Sequence, residues 1–285
     1  MHPWRRAESL QHIFHQACAE PWLLHHSTCP MCRQSIVPLS RMKQGESIEK
    51  AFERALEENN QDFAFELLAT TSISDKCRYP MFFATVRRGH EVMMKLFLRE
   101  GLPDGTLGGW VRGRGVLLAA ERGHVSIVHE LLESGFIDVH NRSVALVYAA
   151  TKGFYATVRA LLKHGPTFTS DLEKAFMVAV ENQDFITFSE LFNSRKKYIS
   201  DECQGRAFCM AATRGHEAIV NAILSQGRIS MDSRIEAFLN ATHAGHKIVA
   251  NTIEGSSPFF IEQFQQKVEP QTFCARLMQK FRSKS

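Results

Sequence analysis

A block of about 30 residues recurs along this chain, and the repeat restricts the possible folds more than any other sequence feature. The clearest copies are residues 82–101, 117–135, 147–165, 209–227 and 239–255. Two divergent copies, from Arg54 and from Met177, keep the apolar pattern without its glycine. One position recurs at intervals of 30, 34, 30, 30, 32 and 30 residues, at Asn59, Gly89, Gly123, Gly153, Gln183, Gly215 and Gly245. A regular period of this length is typical of a solenoid of stacked units.

The third clear copy shows what one unit predicts. Ala149 and Ala150 close a short first helix with small side chains, where neighbouring units must approach closely. Gly153 then supplies a left-handed turn without strain from a Cβ atom. Val158 and Leu161 fall on one face of a second helix. Because one such helix pair cannot bury its apolar face alone, the copies are expected to stack.

The strings AAERGHVSIVHELLESG and AATRGHEAIVNAILSQG resemble the ankyrin repeat. The resemblance covers residues 48–255 and is best in the second helix and the GH turn. No copy carries the TPLH segment of that family, and the short units imply trimmed β-hairpin fingers. The predicted fold class is mainly α, an ankyrin-like helical-repeat solenoid of about seven repeats with a small, incomplete RING-type module at the N-terminus.

Four histidines follow the turn glycines, at His90, His124, His216 and His246. In a stacked solenoid, adjacent copies would lie roughly 10 Å apart, which is too far for these side chains to share one metal ion. They are predicted to cap backbone groups in the turns.

The N-terminal segment is rich in cysteine and histidine. Three of the seven cysteines lie within 15 residues, and two histidines stand just before them. The odd cysteine count and the lack of an apolar signal core argue against a disulfide framework. A CxxC pair with nearby histidines is typical of a zinc site. The candidate ligands are His12, His15, Cys18, Cys29 and Cys32.

The string HIFHQACAEPWLLHHSTCPMCR, from His12 to Arg33, resembles the second half of a RING-H2 finger of ubiquitin ligases. The resemblance implies that one zinc ion would use His15 and Cys18. The other zinc ion would use His12, Cys29 and Cys32. It also implies that Trp22 and Pro30 contact a ubiquitin-conjugating enzyme, while Arg33 contacts both that enzyme and ubiquitin. Such a ligase has no nucleophile of its own.

The segment departs from the RING-H2 pattern before His12. Leu10 stands where the family has its third ligand, and the first CxxC pair is absent from the sequence. One interpretation is that the finger continues upstream of Met1, in which case it would bind two zinc ions. The other is a degenerate finger with one weak zinc site or none. The first interpretation predicts a RING-type ligase or adaptor. The second interpretation predicts a non-enzymatic protein-binding scaffold.

A glycine-rich stretch, residues 105–115, is predicted to be the longest loop between repeats. Its Trp110, Arg112 and Arg114 are the candidate contacts with a protein substrate, and the alternative is a solvated flexible loop.

Composition excludes several other functions. A net charge of +4 is too small to predict a nucleic-acid partner. No apolar run approaches the roughly 18 residues of a membrane span. Without a signal sequence, the predicted location is cytoplasmic.

The domain boundaries follow from these patterns. Residues 1–38 would form the partial RING-H2-like module and residues 39–47 a linker. Residues 48–255 would form the solenoid, followed by a capping helix and basic tail at residues 256–285.

Overall fold

The structure is a computed structural model that divides into two compact units, Met1–Ile137 and Asp138–Ser285. It describes residues 4–7, 12–15, 41–43, 46–68, 75–100, 109–135, 137–226, 228–258 and 260–267. In these ranges the chain is mainly helical, which confirms the mainly α part of the predicted fold class. No helix among them is both long and apolar enough to cross a membrane.

The N-terminal segment contains two short strands, β1 (Trp4–Ala7) and β2 (His12–His15). They pair in antiparallel fashion, with Trp4 opposite His15 and Ala7 opposite His12.

The first unit contains three helix pairs among its described residues. Their bounds are α1 (Ile48–Glu57), α2 (Gln61–Leu68), α3 (Asp75–Arg88), α4 (Glu91–Glu100), α5 (Gly109–Arg122) and α6 (Val125–Glu133). The first helices of the pairs pack in the order α1, α3, α5, and α4 packs against α6. Three aromatic rings connect adjacent pairs, since Phe97 meets Phe52 and Phe82 edge to face at 6.3 and 5.7 Å between centroids.

The described part of the second unit contains four further pairs and one terminal helix. The bounds are α7 (Val139–Thr151), α8 (Tyr155–Lys163), α9 (Thr169–Glu181), α10 (Phe185–Arg195), a 3₁₀ turn (Lys196–Tyr198), α11 (Asp201–Arg214), α12 (Glu217–Gln226), α13 (Met231–Ala244), α14 (Lys247–Gly255) and α15 (Phe260–Lys267). The first helices pack in the order α7, α9, α11, α13, and the second helices follow the same order beside them. Helix α15 covers the last pair, where Phe260 and Phe264 are buried against Phe238.

The turn within each described helix pair is left-handed. All seven recurrent positions have a positive φ, between 53° at Asn59 and 83° at Gly245. The left-handed turn predicted at Gly153 is therefore confirmed, with a φ of 73°. Asn59 and Gln183 adopt this conformation although they carry a Cβ atom. The backbone turn, more than the glycine itself, is what the repeat conserves between its copies.

The first helix of each pair is not short, contrary to the prediction from the third clear copy. Helix α7 has 13 residues, whereas its partner α8 has 9. Capping side chains precede α7, α11 and α13, whereas Phe168 before α9 makes no capping hydrogen bond. The side chains of Asp138, Ser200 and Ser230 each accept a hydrogen bond from the backbone N–H three residues on.

Two of the turn histidines, His124 and His246, contact the turn of the preceding helix pair. A ring nitrogen of His124 lies 3.1 Å from the carbonyl oxygen of Arg87, and the ring covers Gly89 so closely that a Cβ atom there would lie 2.7 Å away. The ring of His246 covers Gly215 in the same way. The predicted structural role is confirmed for His124, with the difference that its backbone partner belongs to the neighbouring pair.

The stability of the second unit is expected to fall in acid because of His216. This side chain is only 7% exposed, and its Nδ1 has no hydrogen-bond partner among the described residues. Burial lowers the pKa of His216 below its ordinary value of 6.5, and the nearby Arg214 and His246 lower it further, whereas a hydrogen bond with the Val180 backbone raises it. Below pH 6.5 the unfolded chain therefore binds more protons than the folded chain, and stability decreases as the pH falls.

The measurement is the free energy of unfolding at pH 7.5 and pH 5, for the wild type and for His216→Gln. One proton can contribute a slope of at most about 1.4 kcal/mol per pH unit, and this part should disappear in the variant. His140→Gln, at an exposed position of α7, is the matched control and should keep the wild-type slope. An unchanged slope in His216→Gln would contradict the prediction.

Candidate functional site

Two of the predicted zinc ligands lie on a described strand. His12 and His15 are the first and last residues of β2, opposite Ala7 and Trp4 of β1. The sequence pattern did not predict these strands. The other predicted residues of this site lie outside the described residues, namely Cys18, Trp22, Cys29, Pro30, Cys32 and Arg33.

The donor set of this segment is chemically suited to zinc. Three thiol and two imidazole side chains fall between His12 and Cys32. Zinc takes such ligands in groups of four, so five donors suffice for one tetrahedral site. They are three short of the eight that two such sites require.

The glycine-rich stretch is not a loop throughout, which corrects the prediction for residues 105–115. Residues 101–108 lie outside the described residues, but α5 begins at Gly109 and continues to Arg122. Trp110, Arg112 and Arg114 are therefore in a helix. One glycine of α5 serves close packing, whereas a Cβ atom on Gly109 would meet no atom of the described residues within 4 Å. A Cβ atom on Gly115 would lie 3.1 Å from the Leu131 side chain and 3.2 Å from that of Phe82.

The three predicted substrate contacts have different surroundings in α5. Trp110 is 59% exposed, and its ring centroid lies 5.3 Å from that of Tyr79 and 6.4 Å from that of Phe83. Arg114 is exposed. The Arg112 guanidinium packs against Gly135, where a Cβ atom would lie 2.5 Å from its Nη1.

An arginine in the second unit has the same arrangement as Arg112. Arg142 packs against Gly165 and donates a hydrogen bond of 3.0 Å to the Pro166 carbonyl oxygen. This likeness indicates that Arg112 supports the end of its own helix pair, whatever else it contacts. Whether any of Trp110, Arg112 and Arg114 contacts a substrate stays a prediction.

The described thiols of the second unit are unsuited to thiolate chemistry. Burial raises the pKa of Cys203 to about 11, and it raises the pKa of Cys209 to about 12. Nearby carboxylates add to both shifts, Glu173 at Cys203 and Glu236 at Cys209. Both thiols are therefore protonated near neutral pH and are poor nucleophiles and metal ligands.

Sequence reasoning missed a groove of about 850 Å³ between α11 and α13. Its lining mixes acidic, basic and small residues, including Glu202, Arg206, Arg228 and Glu236. Gly205 at its base allows the two helices to approach, since a Cβ atom there would lie 2.8 Å from the Ser233 Oγ.

The N-terminal segment is similar to known proteins over a short length. Residues 7–33 match the ring finger domain family. RING finger protein 148 of Bos taurus is 56% identical over 32 residues, which are 11% of this chain and 11% of that protein. RING finger protein 150 of Homo sapiens is 56% identical over 27 residues, which are 10% of this chain and 6% of that protein. E3 ubiquitin-protein ligase RNF128 of Homo sapiens is 53% identical over 32 residues, which are 11% of this chain and 8% of that protein.

The matches cover no more than 11% of the length of these relatives. They concern the segment that holds His12, His15, Cys18, Cys29 and Cys32. A RING domain binds zinc, and the five donors agree with that chemistry. Residues 7–33 are therefore a RING finger domain sequence of the RING-H2 type, with homologues among E3 ubiquitin-protein ligases.

Proposed function

We propose that the chain is a RING-type ubiquitin ligase, or an adaptor of that kind. Its finger would recruit a ubiquitin-conjugating enzyme, and its helical repeats would bind a protein substrate. The observation that carries the proposal is the match of residues 7–33 to the ring finger domain, together with 53% identity to an E3 ubiquitin-protein ligase over 32 residues.

The proposed chemistry is the attack of a substrate lysine on the thioester between ubiquitin and the conjugating enzyme. The lysine nitrogen forms an amide bond with the ubiquitin carbonyl carbon, and the enzyme thiol leaves. Trp22 and Pro30 would bind the conjugating enzyme. Arg33 would hold ubiquitin in a reactive position through bidentate hydrogen bonds. Zinc would supply only structural cross-links between the ligand-bearing segments. The rate gain would come from orientation and proximity.

We further propose that residues 48–255 are ankyrin-type repeats that select the substrate. Seven described left-handed turns and the packing of successive helix pairs within each unit support this proposal. So does the contact of His124 with the preceding turn. In the first unit, the exposed Trp110 and Arg114 of α5 are the favoured substrate contacts.

The decisive experiment is ubiquitination in vitro with the full chain and a panel of conjugating enzymes. The wild type should form ubiquitin chains, and Trp22→Ala should slow their formation by about tenfold or more, as expected for an aromatic interface anchor. Trp110→Ala is the matched control, because it removes an exposed indole outside the finger and should leave autoubiquitination unchanged. Failure of the wild type with every conjugating enzyme would overturn the ligase proposal.

A second candidate function is a non-enzymatic binding scaffold with a degenerate finger. Leu10 favours it, because an apolar side chain stands where the RING-H2 pattern has a zinc ligand. Zinc content per chain separates the two candidates. A content of two zinc ions per chain would exclude the scaffold function, whereas a chain without bound zinc would support it.

A further inference from the structure

One side of α3 and α5 in the first unit carries three aromatic and two cationic side chains. The Trp110 ring and the two arginines are exposed, and the other two rings are half-buried. Tyr79, Phe83 and Arg87 follow one another at four-residue spacing on α3, and Trp110 and Arg114 do so on α5. Residues at this spacing share a helix face. These five residues form the aromatic–arginine face. The Trp110 ring is inclined by 46° to that of Tyr79 and by 55° to that of Phe83.

Trp110 is held in place yet remains largely exposed. Its contacts with Tyr79 and Phe83 limit the conformations of the indole, while 59% of the residue stays accessible to solvent. A ring that is already ordered loses little conformational entropy on binding. Tryptophan, tyrosine and arginine are also the residues most enriched among the energetic centres of protein interfaces. The face thus has the composition of a binding site.

Several cations of the first unit are ion-paired, whereas the two arginines of this face are not paired with any described residue. Arg54 pairs with Glu46 at 2.9 Å, Arg88 with Glu57 at 2.6 Å and Lys95 with Glu130 at 3.1 Å. Arg87 and Arg114 form no ion pair with any residue that the structure describes. Two exposed arginines on the same helix faces as the Trp110 ring complement a partner that carries carboxylates.

We propose that the aromatic–arginine face binds an acidic, extended polypeptide segment that contains proline. A proline ring of this segment packs on Trp110, and flanking carboxylates contact Arg87 and Arg114. Extended proline-containing segments suit exposed aromatic side chains because little of their conformational entropy is lost on docking. The identification of this segment as part of the ligase substrate rests on the proposed function.

A nucleic acid is a poorer match to the same face. Single-stranded nucleic acids need a continuous basic groove in addition to stacking rings. Two arginines, one on each of two helices, do not form such a groove. The net charge of +4 is also small for a chain of 285 residues.

The experiment is selection of a random 12-residue peptide library on the immobilised full chain. It compares the wild type with the double variant Trp110→Ala/Arg114→Glu. The wild type should enrich peptides in which proline stands next to aspartate or glutamate, and the double variant should lose this enrichment. By fluorescence anisotropy, the recovered peptides should bind the double variant at least about tenfold more weakly.

The second unit offers a matched control. Tyr155 is 42% exposed, and Arg159 stands four residues on with its guanidinium 5.8 Å from the ring centroid. Arg159 is paired with Glu190, unlike Arg114. Tyr155→Ala/Arg159→Glu should therefore enrich the same peptides as the wild type. Arg114→Glu alone, at an exposed helix position, should weaken binding without affecting folding.

Three results would overturn the proposal. The first is that Trp110→Ala/Arg114→Glu enriches the same peptides as the wild type. The second is that the wild type enriches basic peptides or no peptides. The third is that the wild type binds a dT12 oligonucleotide and the double variant does not. The selection contains no ubiquitin, so it is independent of ligase activity. Enrichment without ligase activity would leave the peptide site standing and remove only the proposed enzymatic function.

Discussion

The variant Cys29→Ser/Cys32→Ser is expected to form no ubiquitin chains and to lose its zinc. Serine hydroxyls do not replace thiolates as zinc ligands. The substitutions leave only His12, His15 and Cys18 of the five candidate donors, which is too few for a closed structural site. Because zinc binding supplies the folding free energy of such small modules, the finger should unfold in this variant. The measurements are metal content per chain and ubiquitination under the conditions that activate the wild type.

Cys209→Ser is the control for this prediction. It removes a thiol whose pKa burial raises to about 12, and the variant should keep the zinc content and activity of the wild type. Far-UV circular dichroism should show that all three proteins keep the helices from Ile48 onwards, because these described helices lie outside residues 7–33. Full zinc content or undiminished chain formation in Cys29→Ser/Cys32→Ser would contradict the assignment of the ligands.

The turns of the helix pairs were predictable because their chemistry is local. Glycine tolerates the left-handed conformation, and a recurrent glycine after a short apolar run therefore marks the turn. Alignment to Gly89 and Gly153 identified Asn59 and Gln183 as equivalent positions, and both have a positive φ. Periodicity thus located a backbone conformation even where the side chain did not reveal it.

Helix α5 was not predictable in the same way. Several glycines before Val116 lower the helix propensity of this stretch, and local reasoning predicts a loop. The helix forms because Gly115 lets α5 approach Phe82 of α3 and Leu131 of α6, which are remote in sequence. Packing between helices therefore decides the structure of this segment, and sequence patterns within a short window do not contain that information.

The zinc donors, the strand pairing and the aromatic–arginine face were predictable from the sequence to different extents. Ligand spacing predicted zinc donors between His12 and Cys32, since zinc chemistry restricts both residue type and spacing. The ring finger domain match covers this segment, and the assignment of the individual ligands stays a prediction. The pairing of β1 with β2 was missed because each strand has only four residues, too few for a clear alternating pattern. The aromatic–arginine face was missed because Tyr79 and Trp110 meet only when α3 and α5 pack together.

Phe188→Ala should destabilise the second unit by about 3–5 kcal/mol, the usual cost of removing a buried phenylalanine ring. Phe188 is fully buried, with ring centroids 5.2 Å from Phe176 and 5.3 Å from Phe192. Its loss leaves a cavity between α9 and α10. These helices pack on the pairs before and after them, so the cavity weakens contacts on both sides. Urea unfolding followed by far-UV circular dichroism gives the change in free energy.

Phe185→Ala is the matched control, because it removes the same side chain three residues away. Phe185 is 44% exposed, and its ring centroid lies 6.2 Å from that of Phe188. Exposed substitutions of this kind change stability by less than about 1 kcal/mol, and alanine has the higher helix propensity. Equal destabilisation by the two variants would show that the Phe176–Phe188–Phe192 cluster is not the core of this helix pair. A large loss of unfolding free energy in Phe188→Ala alone would show that the buried ring between α9 and α10 stabilises the second unit, including the packing of these helices on the neighbouring pairs.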